Sequence, residues 1–224
     1  MCAEKIKLAI TFLCLLLLGT SVFSQVEKDS VADLTPFRKG RWITGLSGSI
    51  SSGANSLDES RSGVTRNQYA IDFRTGKFIK DRLLVGGLVS FSRNDSEEFA
   101  KRTLETLYAG PLVTWYLTDG EQGSLFVSGS GGYVNFRDES SFLESENPSG
   151  VLIDGNGFGL FLGFGYSYVL HDRVVFGLSL NYQNSWLSAE IIENPSNNRS
   201  QEQFIIADLS FSFGFSVILD KFFF

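Results

Sequence analysis

The sequence predicts an all-β fold, an eight-stranded antiparallel up-and-down transmembrane β-barrel, and three observations lead to it. Large apolar or aromatic residues alternate with small or polar ones along many segments, with the period of two that is typical of a β-strand. Phe and Gly are abundant, at 21 and 23 of 224 residues, whereas Pro is rare at 4. The connections between these segments alternate between short and long, as in barrels that cross a membrane.

The clearest hairpin is FGLFLGFGYSYVL-HDR-VVFGLSLNY, residues 158–182. In each arm every second residue is large and apolar or aromatic, and the residues between them are mostly small or polar. An apolar face along the whole length, opposite a small or polar face, is the pattern of a strand with lipid outside and a narrow interior. This hairpin predicts two lipid-facing strands.

The first 24 residues predict a signal peptide. Lys5 and Lys7 precede an apolar run of 11 residues, 8–18, and small residues follow at the positions that signal peptidase requires. We expect cleavage before Gln25. The run is too short to span a membrane as a helix.

The charge and cysteine content of the remaining chain exclude several classes of function. Both cysteines, Cys2 and Cys14, lie in the predicted signal peptide, so no disulfide or thiol chemistry is expected afterwards. Of 19 basic and 25 acidic residues, Lys5, Lys7 and Glu4 also lie there, which leaves 17 and 24 and a net charge of −7. An acidic, exported chain is not expected to bind nucleic acid.

The N-terminal half predicts a linker and three strands. Residues 25–39 are polar and unpatterned, and we interpret them as a linker before a barrel domain at 40–224. The first three strands are predicted at 41–52, 67–79 and 83–93. Each places Trp, Tyr, Phe, Ile, Leu or Val on one face and mainly Gly, Ser, Ala or charged residues on the other.

The middle of the chain is harder to interpret. A fourth strand is predicted at 103–118, with Pro111 on the face opposite the apolar one, where its missing N–H suggests a bulge or an unpaired site. The face expected to be apolar carries Thr106, Tyr108, Leu112, Thr114 and Tyr116. A fifth strand is predicted at 124–137, and its facing stays open because Leu125, Val127 and Tyr133 compete with Phe126, Val134 and Phe136.

The hairpin supplies the sixth and seventh strands, and QFIIADLSFSFGFSVIL (203–219) supplies the eighth. The predicted short connections are 80–82, 119–123 and 171–173; the longer ones are 53–66, 94–102, 138–152 and 187–202. Eight strands put both chain ends on one side, and short turns indicate the periplasmic side of a bacterial outer membrane.

At this point the sequence resembles the small outer-membrane β-barrel proteins of the Bacteroidetes type, in the OmpA/OmpX-like eight-stranded group. The stretches that carry the resemblance are the signal ending Ser24-Gln25, GKFIKDRLLVGG, AGPLVTWYLTDG, GFGLFLGFGYSYVL and the final Phe224. Near the end Asp220-Lys221 interrupt the alternation, so the last strand contains a bulge or KFFF forms an interfacial tail. The resemblance implies a Gram-negative cell-envelope protein with outer-membrane lipid, lipopolysaccharide and the barrel-assembly machinery as partners.

The only histidine, His171, is a weak candidate for catalysis. It lies in the tight turn HDR, where a related hairpin has Lys80, and no G-x-S-x-G motif follows residue 24. We interpret His171 as an exposed turn residue and expect neither an enzyme nor a metal or cofactor site. The loop 138–152 holds Asp138, Glu139, Glu144 and Glu146, which we interpret as solvated; a divalent cation bridging to lipopolysaccharide is the alternative.

Two further sets of residues have expected roles. A polar network in the barrel interior is expected from Asp72, Arg74, Glu105, Asn181, Gln183 and Asp208. Charges there must pair or reach water, and Arg74 is the expected cation of a salt-bridge plug. Interfacial aromatic girdles are expected from Trp42, Tyr116, Tyr166, Tyr168, Tyr182 and Trp186. The sequence therefore predicts a structural or surface-interaction protein of the outer membrane; the alternative is a narrow porin-like channel for ions or small hydrophobic solutes.

Overall fold

The chain forms one ring of eight antiparallel strands. The computed structural model describes residues 35–55, 66–97, 100–142, 150–194 and 198–220. The strands are β1 (Trp42–Asn55), β2 (Arg66–Lys80), β3 (Leu83–Glu97), β4 (Ala100–Tyr116), β5 (Gly123–Phe142), β6 (Gly150–Leu170), β7 (Val174–Asn194) and β8 (Asn198–Leu219). Within these ranges no helix is long and apolar enough to cross a membrane.

Each strand pairs with the next in sequence, and β1 pairs with β8, so the sheet closes. At the closing seam Ser47 of β1 lies opposite Asp72 of β2 on one side and Gly214 of β8 on the other. Closure pairs both edges of every strand, and a sheet in lipid requires this because lipid offers no hydrogen bonds. The predicted fold class is confirmed.

The alternation of side chains follows the predicted faces in β1, β2, β3, β6, β7 and β8. Along β6, for example, Phe158, Phe164 and Tyr168 are exposed on the outside, while Phe161 and Ser167 are buried inside. Of the two alternatives predicted at Pro111, a bulge or an unpaired site, the structure has the unpaired site, because the register does not shift there. The β4–β5 register runs to Ala109–Tyr133 and resumes only at Leu112–Ser130, as expected where a proline lacks the ladder N–H.

The predicted facing of β4 is wrong. Tyr108, Leu112, Thr114 and Tyr116 are buried inside the barrel, and the exposed face carries Leu107, Val113 and Trp115 instead. The aromatic side chains misled the prediction, because a tyrosine fits an interior when its hydroxyl finds a partner. Such a partner exists, since the Tyr108 hydroxyl lies 2.6 Å from Ser130 Oγ. The open question for β5 is settled as well, with Phe126, Val134 and Phe136 inside.

The strands on the long-loop side are longer than predicted. Most of the predicted loops 138–152 and 187–202 belongs to β5, β6, β7 and β8, the last three of which have 21, 21 and 22 residues. A tilted strand needs only about 9–11 residues to cross a membrane. The charged residues that led to the prediction of loops instead lie on strands, and these strands continue beyond the apolar part of the barrel.

Within the predicted linker 25–39, Thr35, Pro36 and Phe37 are buried at the short-turn end of the barrel, whereas Arg38 and Lys39 are exposed. Phe37 explains why this segment packs against the barrel, because its aromatic side chain is fully buried inside the ring of strands. The predicted signal peptide, Glu144, Glu146 and the terminal residues 221–224 lie outside the described residues.

Candidate functional site: the barrel interior

The short-turn end of the barrel is sealed by an apolar ring. Every strand contributes one buried inward side chain to it, and Phe37 lies among them with no exposed surface. The ring, here called the lower ring, consists of Ile43, Phe78, Leu84, Tyr116, Phe126, Val169, Val175 and Ile218. The Phe37 ring stacks on Tyr116 with centroids 3.9 Å apart and lies 5.9 Å from Phe78. The barrel is therefore closed by packing at this end.

Backbone hydrogen bonds hold the segment that carries Phe37. The carbonyl of Phe37 accepts from the N–H of Arg82 at 2.7 Å, and the N–H of Gly40 donates to the carbonyl of Phe78 at 2.8 Å. The N–H of Lys39 donates to Asp81 Oδ1 at 2.7 Å. These bonds join the segment to the β2–β3 turn and fix the depth at which Phe37 enters the ring.

Arg41 locks the other side of the same segment. Its guanidinium is buried and donates to the Pro36 carbonyl at 2.9 Å, to Asp172 Oδ1 at 2.8 Å and to the Asp172 carbonyl at 2.9 Å. Its Nε lies 2.9 Å from Asp220 Oδ1 after β8. One arginine thus ties the N-terminal segment to the β6–β7 turn and to the end of the last strand. The Asp172 carboxylate also accepts from Arg38 at 2.9 Å.

A polar layer lies above the lower ring. Ser47 Oγ accepts from Arg74 at 3.2 Å and donates to Asp72 Oδ2 at 3.3 Å, so the link between the two charges runs through a hydroxyl. Ser90 Oγ donates to Asp72 Oδ1 at 2.6 Å. The buried Asp72 carboxylate is therefore stabilised by two hydroxyl donors.

A second polar group belongs to the last two strands. Asn181 Nδ2 donates to Ser212 Oγ at 2.9 Å, and Ser212 Oγ lies 2.6 Å from Ser179 Oγ. Gln183 Nε2 donates to Ser185 Oγ at 3.3 Å. Small hydroxyl side chains allow these residues to pack in an interior that eight strands leave only just wide enough for side chains.

The long-loop half of the interior has an apolar wall. It is built from Leu88, Leu104, Tyr108, Leu112, Val134, Phe136, Phe161 and Leu187. Phe136 of β5 reaches across to Phe204 of β8, with ring centroids 5.4 Å apart in an edge-to-face contact. This cross-lumen contact narrows the barrel a second time, at the end opposite Phe37.

Arg102 and Asp138 form an ion pair inside the long-loop end of the barrel. Arg102 Nε donates to Asp138 Oδ1 at 2.8 Å, and Nη2 contacts Oδ2, so the pair is bidentate. The Asp138 side chain is 4% exposed and that of Arg102 34%. The hydrogen bonds from Arg102 to Asp138 raise the pKa of Arg102, against an opposing effect of burial. The prediction that Asp138 lies in a solvated loop is wrong.

Residues that the structure describes line two small interior cavities, which have no lining residue in common. The upper one, about 70 Å³, lies between the apolar wall and a polar wall that includes Asp72, Gln183 and Asp208. The lower one, about 30 Å³, includes Arg74 and Thr114 and is closed below by Tyr116 and Phe126. Polar cavities of this size hold a few water molecules.

Five of the six residues expected in the interior network lie on inward faces: Asp72, Arg74, Asn181, Gln183 and Asp208. The expectation for Glu105 is wrong. Because β4 faces opposite to the prediction, Glu105 lies outside, 3.1 Å from Arg93 Nη1. Sequence reasoning missed Phe37 and Arg41, although an aromatic and an arginine just before the first strand in an otherwise polar segment were a usable signal.

The outer surface carries the expected aromatic side chains with one exception. Tyr166, Tyr168, Tyr182 and Trp186 are between 42% and 44% exposed on the outside. Trp42 lies at the short-turn end, where Lys77 Nζ is 5.9 Å from its ring centroid. Tyr116 is buried in the lower ring, so its expected interfacial position is wrong. Other exposed aromatic residues were not in the predicted set, among them Tyr69, Trp115, Tyr133 and Phe158.

These aromatic residues belong to an apolar belt around the whole barrel. Outward residues of the belt run from Leu83 to Phe91 on β3, from Leu107 to Trp115 on β4, and from Phe158 to Leu170 on β6. At its long-loop border, Tyr133, Phe158, Trp186 and Ile205 lie side by side in the strand register. A soluble protein rarely exposes a continuous apolar surface of this extent.

His171 lies exposed in the β6–β7 turn with a φ of 51°, as predicted for a turn residue. Its neighbour Asp172 has a structural role in this turn, through Arg38 and Arg41. Among the residues that the structure describes, no group of three or more His, Cys, Asp or Glu side chains could hold a metal ion.

Solved structures with the same architecture are outer-membrane proteins. The Ail attachment invasion locus protein of Yersinia pestis is 12% identical with a TM-score of 0.53, covering 81% of this chain and 99% of its own. OprG of Pseudomonas aeruginosa is 15% identical with a TM-score of 0.53, covering 83% and 99%. A major outer-membrane protein of Thermus thermophilus is 12% identical with a TM-score of 0.52, covering 80% and 99%. No protein-family model and no curated protein matches this chain. The chain has the fold of small eight-stranded outer-membrane β-barrels.

Proposed function

We propose that this chain is an integral outer-membrane β-barrel protein of the Bacteroidetes type, exported by a cleaved signal peptide, with a structural or surface-interaction role and no catalysis. The single observation that carries the proposal is a closed barrel with an apolar belt outside and an interior filled by side chains. Lipid and lipopolysaccharide contact the belt, and the barrel-assembly machinery inserts it. The short turns and Phe37 face the periplasm.

The packing of the interior favours this role over a channel. Phe37 and the lower ring close one end, and the Phe136–Phe204 contact narrows the other. The two cavities are the observation that favours the alternative, a narrow porin-like channel, since both have polar walls. A conducting path would have to displace Phe37, which costs about 3–5 kcal/mol if its burial is lost.

Conductance in planar bilayers distinguishes the two roles. We expect the full chain, purified from outer membranes, to give no reproducible openings. Openings that disappear in a Ser210→Phe variant, which fills the upper cavity, would establish the channel. Ser188→Phe is the matched control, because Ser188 lies on the outer face of β7 and the substitution leaves the interior unchanged.

The surface role rests on the length of the strands beyond the belt. On β8, Gln201 and Gln203 are exposed and lie beyond Ile205 at the belt border. A photo-crosslinking residue at Gln201 is expected to capture a partner in intact cells, whereas the same residue at Glu121, in the β4–β5 turn, is not. Equal capture from both positions would contradict a role for the long-loop side.

A further inference from the structure

A row of charged residues crosses the outer face of the barrel on the long-loop side of the apolar belt. In the strand register Arg93 lies opposite Glu105, Glu105 opposite Arg137, Arg137 opposite Asp154, and Asp154 opposite Glu190. All five occupy alternating positions whose side chains point outward on β3 to β7. We call these five residues the charged row.

The charged row lies on the long-loop side of the belt, one outward position beyond it on β3 and β4 and two positions beyond it on β5. On β3 and β4 the outward residues one step nearer the short turns are Phe91 and Leu107, both exposed. On β5 the nearest exposed aromatic residue is Tyr133, which is separated from Arg137 by Asn135. In a bilayer this border is the level at which acyl chains give way to phosphorylated headgroups.

The two arginines of the row are accessible from this level. Each side chain is 52% exposed. Arg93 Nη1 contacts Glu105 at 3.1 Å, and Arg137 Nη2 lies 3.6 Å from Glu139, which is itself 61% exposed and lies farther from the belt. Exposed pairs of this kind are weak, so a ligand with a higher charge can replace them.

We propose that Arg93 and Arg137 bind the phosphate groups of a phosphorylated glycolipid in the outer leaflet. The proposal rests on the proposed function, which places the belt in the membrane. A guanidinium presents a planar fork of donors that matches phosphate oxygens. Long arginine side chains can also lie along apolar surface while their charge reaches the headgroups.

The remaining residues of the row determine where the headgroup lies. Asp154 and Glu190 are directly opposite each other on β6 and β7, and both are acidic. Arg199 pairs with Glu190 at 3.2 Å, so the exposed Asp154 carboxylate is the charge that repels a phosphate from that side of the barrel and directs the headgroup to β3–β5. Glu105 lies between the two arginines, and its carboxylate sets the separation of two phosphate contacts and disfavours a single phosphate that sits between them.

The test measures lipid binding by the full chain. The folded protein in neutral detergent micelles is titrated with lipid A that carries two phosphates, and in parallel with the same lipid after removal of its phosphates. Lipid retained per barrel is measured by native mass spectrometry. The variants are Arg93→Gln, Arg137→Gln and the double substitution. Arg173→Gln is the matched control, because Arg173 is 71% exposed, lies 3.7 Å from Asp220 and belongs to the β6–β7 turn at the short-turn end, away from the row.

We expect the phosphorylated lipid to bind more tightly than the dephosphorylated one. A charge near an anionic surface contributes about 1 kcal/mol, so each single variant is expected to bind about fivefold more weakly and the double variant about 25-fold. The control is expected to bind like the unsubstituted protein. Heat-modifiable migration on gels verifies that each variant remains a folded barrel.

Two results would overturn the proposal while leaving the proposed function intact. One is a double variant that floats with phospholipid vesicles and binds lipid A as tightly as the unsubstituted chain. The other is equal binding of the two lipids by the unsubstituted chain. A folded chain that fails to float with any vesicle would instead contradict the proposed function, and the lipid site would fall with it.

Discussion

Removing the Phe37 side chain is the most informative perturbation of the barrel interior. The ring of Phe37 is fully buried and stacks on Tyr116 with centroids 3.9 Å apart. A buried Phe→Ala substitution costs about 3–5 kcal/mol. The segment stays attached through Arg82, Gly40 and Arg41, so collapse of neighbours into the space is limited. We expect Phe37→Ala to lower the free energy of unfolding by at least about 3 kcal/mol.

Urea unfolding in phospholipid vesicles, followed by gel migration, measures this loss. Phe37→Leu is the conservative control, expected to cost less than about 1.5 kcal/mol because most of the volume is kept. Phe213→Ala is the second control. Phe213 is 56% exposed on the lipid-facing side, and its removal leaves the interior packed.

Thiol labelling tests the seal separately from stability. The sequence has no cysteine after Cys14, so Ser167→Cys introduces a single thiol within the barrel. Ser167 is buried, faces inward on β6 and lines the lower cavity above the ring. We expect slow labelling with Phe37 present and fast labelling in the Phe37→Ala background. Equal rates, together with an unfolding free energy within about 0.5 kcal/mol of the unsubstituted chain, would refute the role of Phe37 as a seal.

Three further predictions concern other contacts, all measured by urea unfolding in vesicles. Arg41→Lys keeps the positive charge but loses the planar arrangement of donors, and we expect the free energy of unfolding to fall by about 2 kcal/mol. An unchanged stability would contradict the structural role of Arg41 at the short-turn end. Arg102→Ala leaves Asp138 buried without its bidentate partner, and we expect the free energy of unfolding to fall by about 3 kcal/mol. A decrease below about 1 kcal/mol would show that the ion pair does not stabilise the barrel. Gly86→Ala places a Cβ 1.9 Å from the Thr75 carbonyl oxygen and is expected to prevent proper closure, whereas Gly177→Ala, with nothing within 4 Å, should be neutral. Folding of both glycine variants alike would contradict the close approach of β2 and β3.

The fold was predictable because the alternation persists wherever one face contacts lipid. The hairpin 158–182 needed no tertiary information, since its lipid-facing residues are large and its interior residues are mostly small or polar. The facing of β4 was not predictable in the same way. Both of its faces carry aromatic residues, and only the packing partners decide that Tyr116 is inside and Trp115 outside.

The interior site was only partly predictable, for physical reasons that differ between residues. The inward position of polar residues such as Asp72 and Asn181 is predictable once the facing of their strand is known, because side chains alternate between the two faces. The prediction for Glu105 was wrong because it depended on the incorrect facing of β4. Phe37 and Arg41 act through contacts with the β2–β3 turn, the β6–β7 turn and the end of β8, and such long-range contacts leave no period in the local sequence.

The strand lengths were underestimated because charged residues were taken as evidence of loops. Glu139 and Glu190, both in predicted loops, lie on strands, with their side chains on the outer face beyond the belt. Outside the bilayer an outward residue meets water, so a strand there has no need of apolar residues on that face. Its inward residues, such as Leu187 and Ala189, still show the alternation.

Tryptophan quenching in vesicles tests the central claim, that the outer face of this barrel lies in lipid. All three tryptophans of the chain, Trp42, Trp115 and Trp186, lie on the outer face near the borders of the belt. We expect strong quenching by phospholipids with bromine close to the headgroup, weaker quenching by bromine deep in the acyl chains, and little by aqueous iodide. Full quenching by iodide with none by brominated lipid would contradict the account.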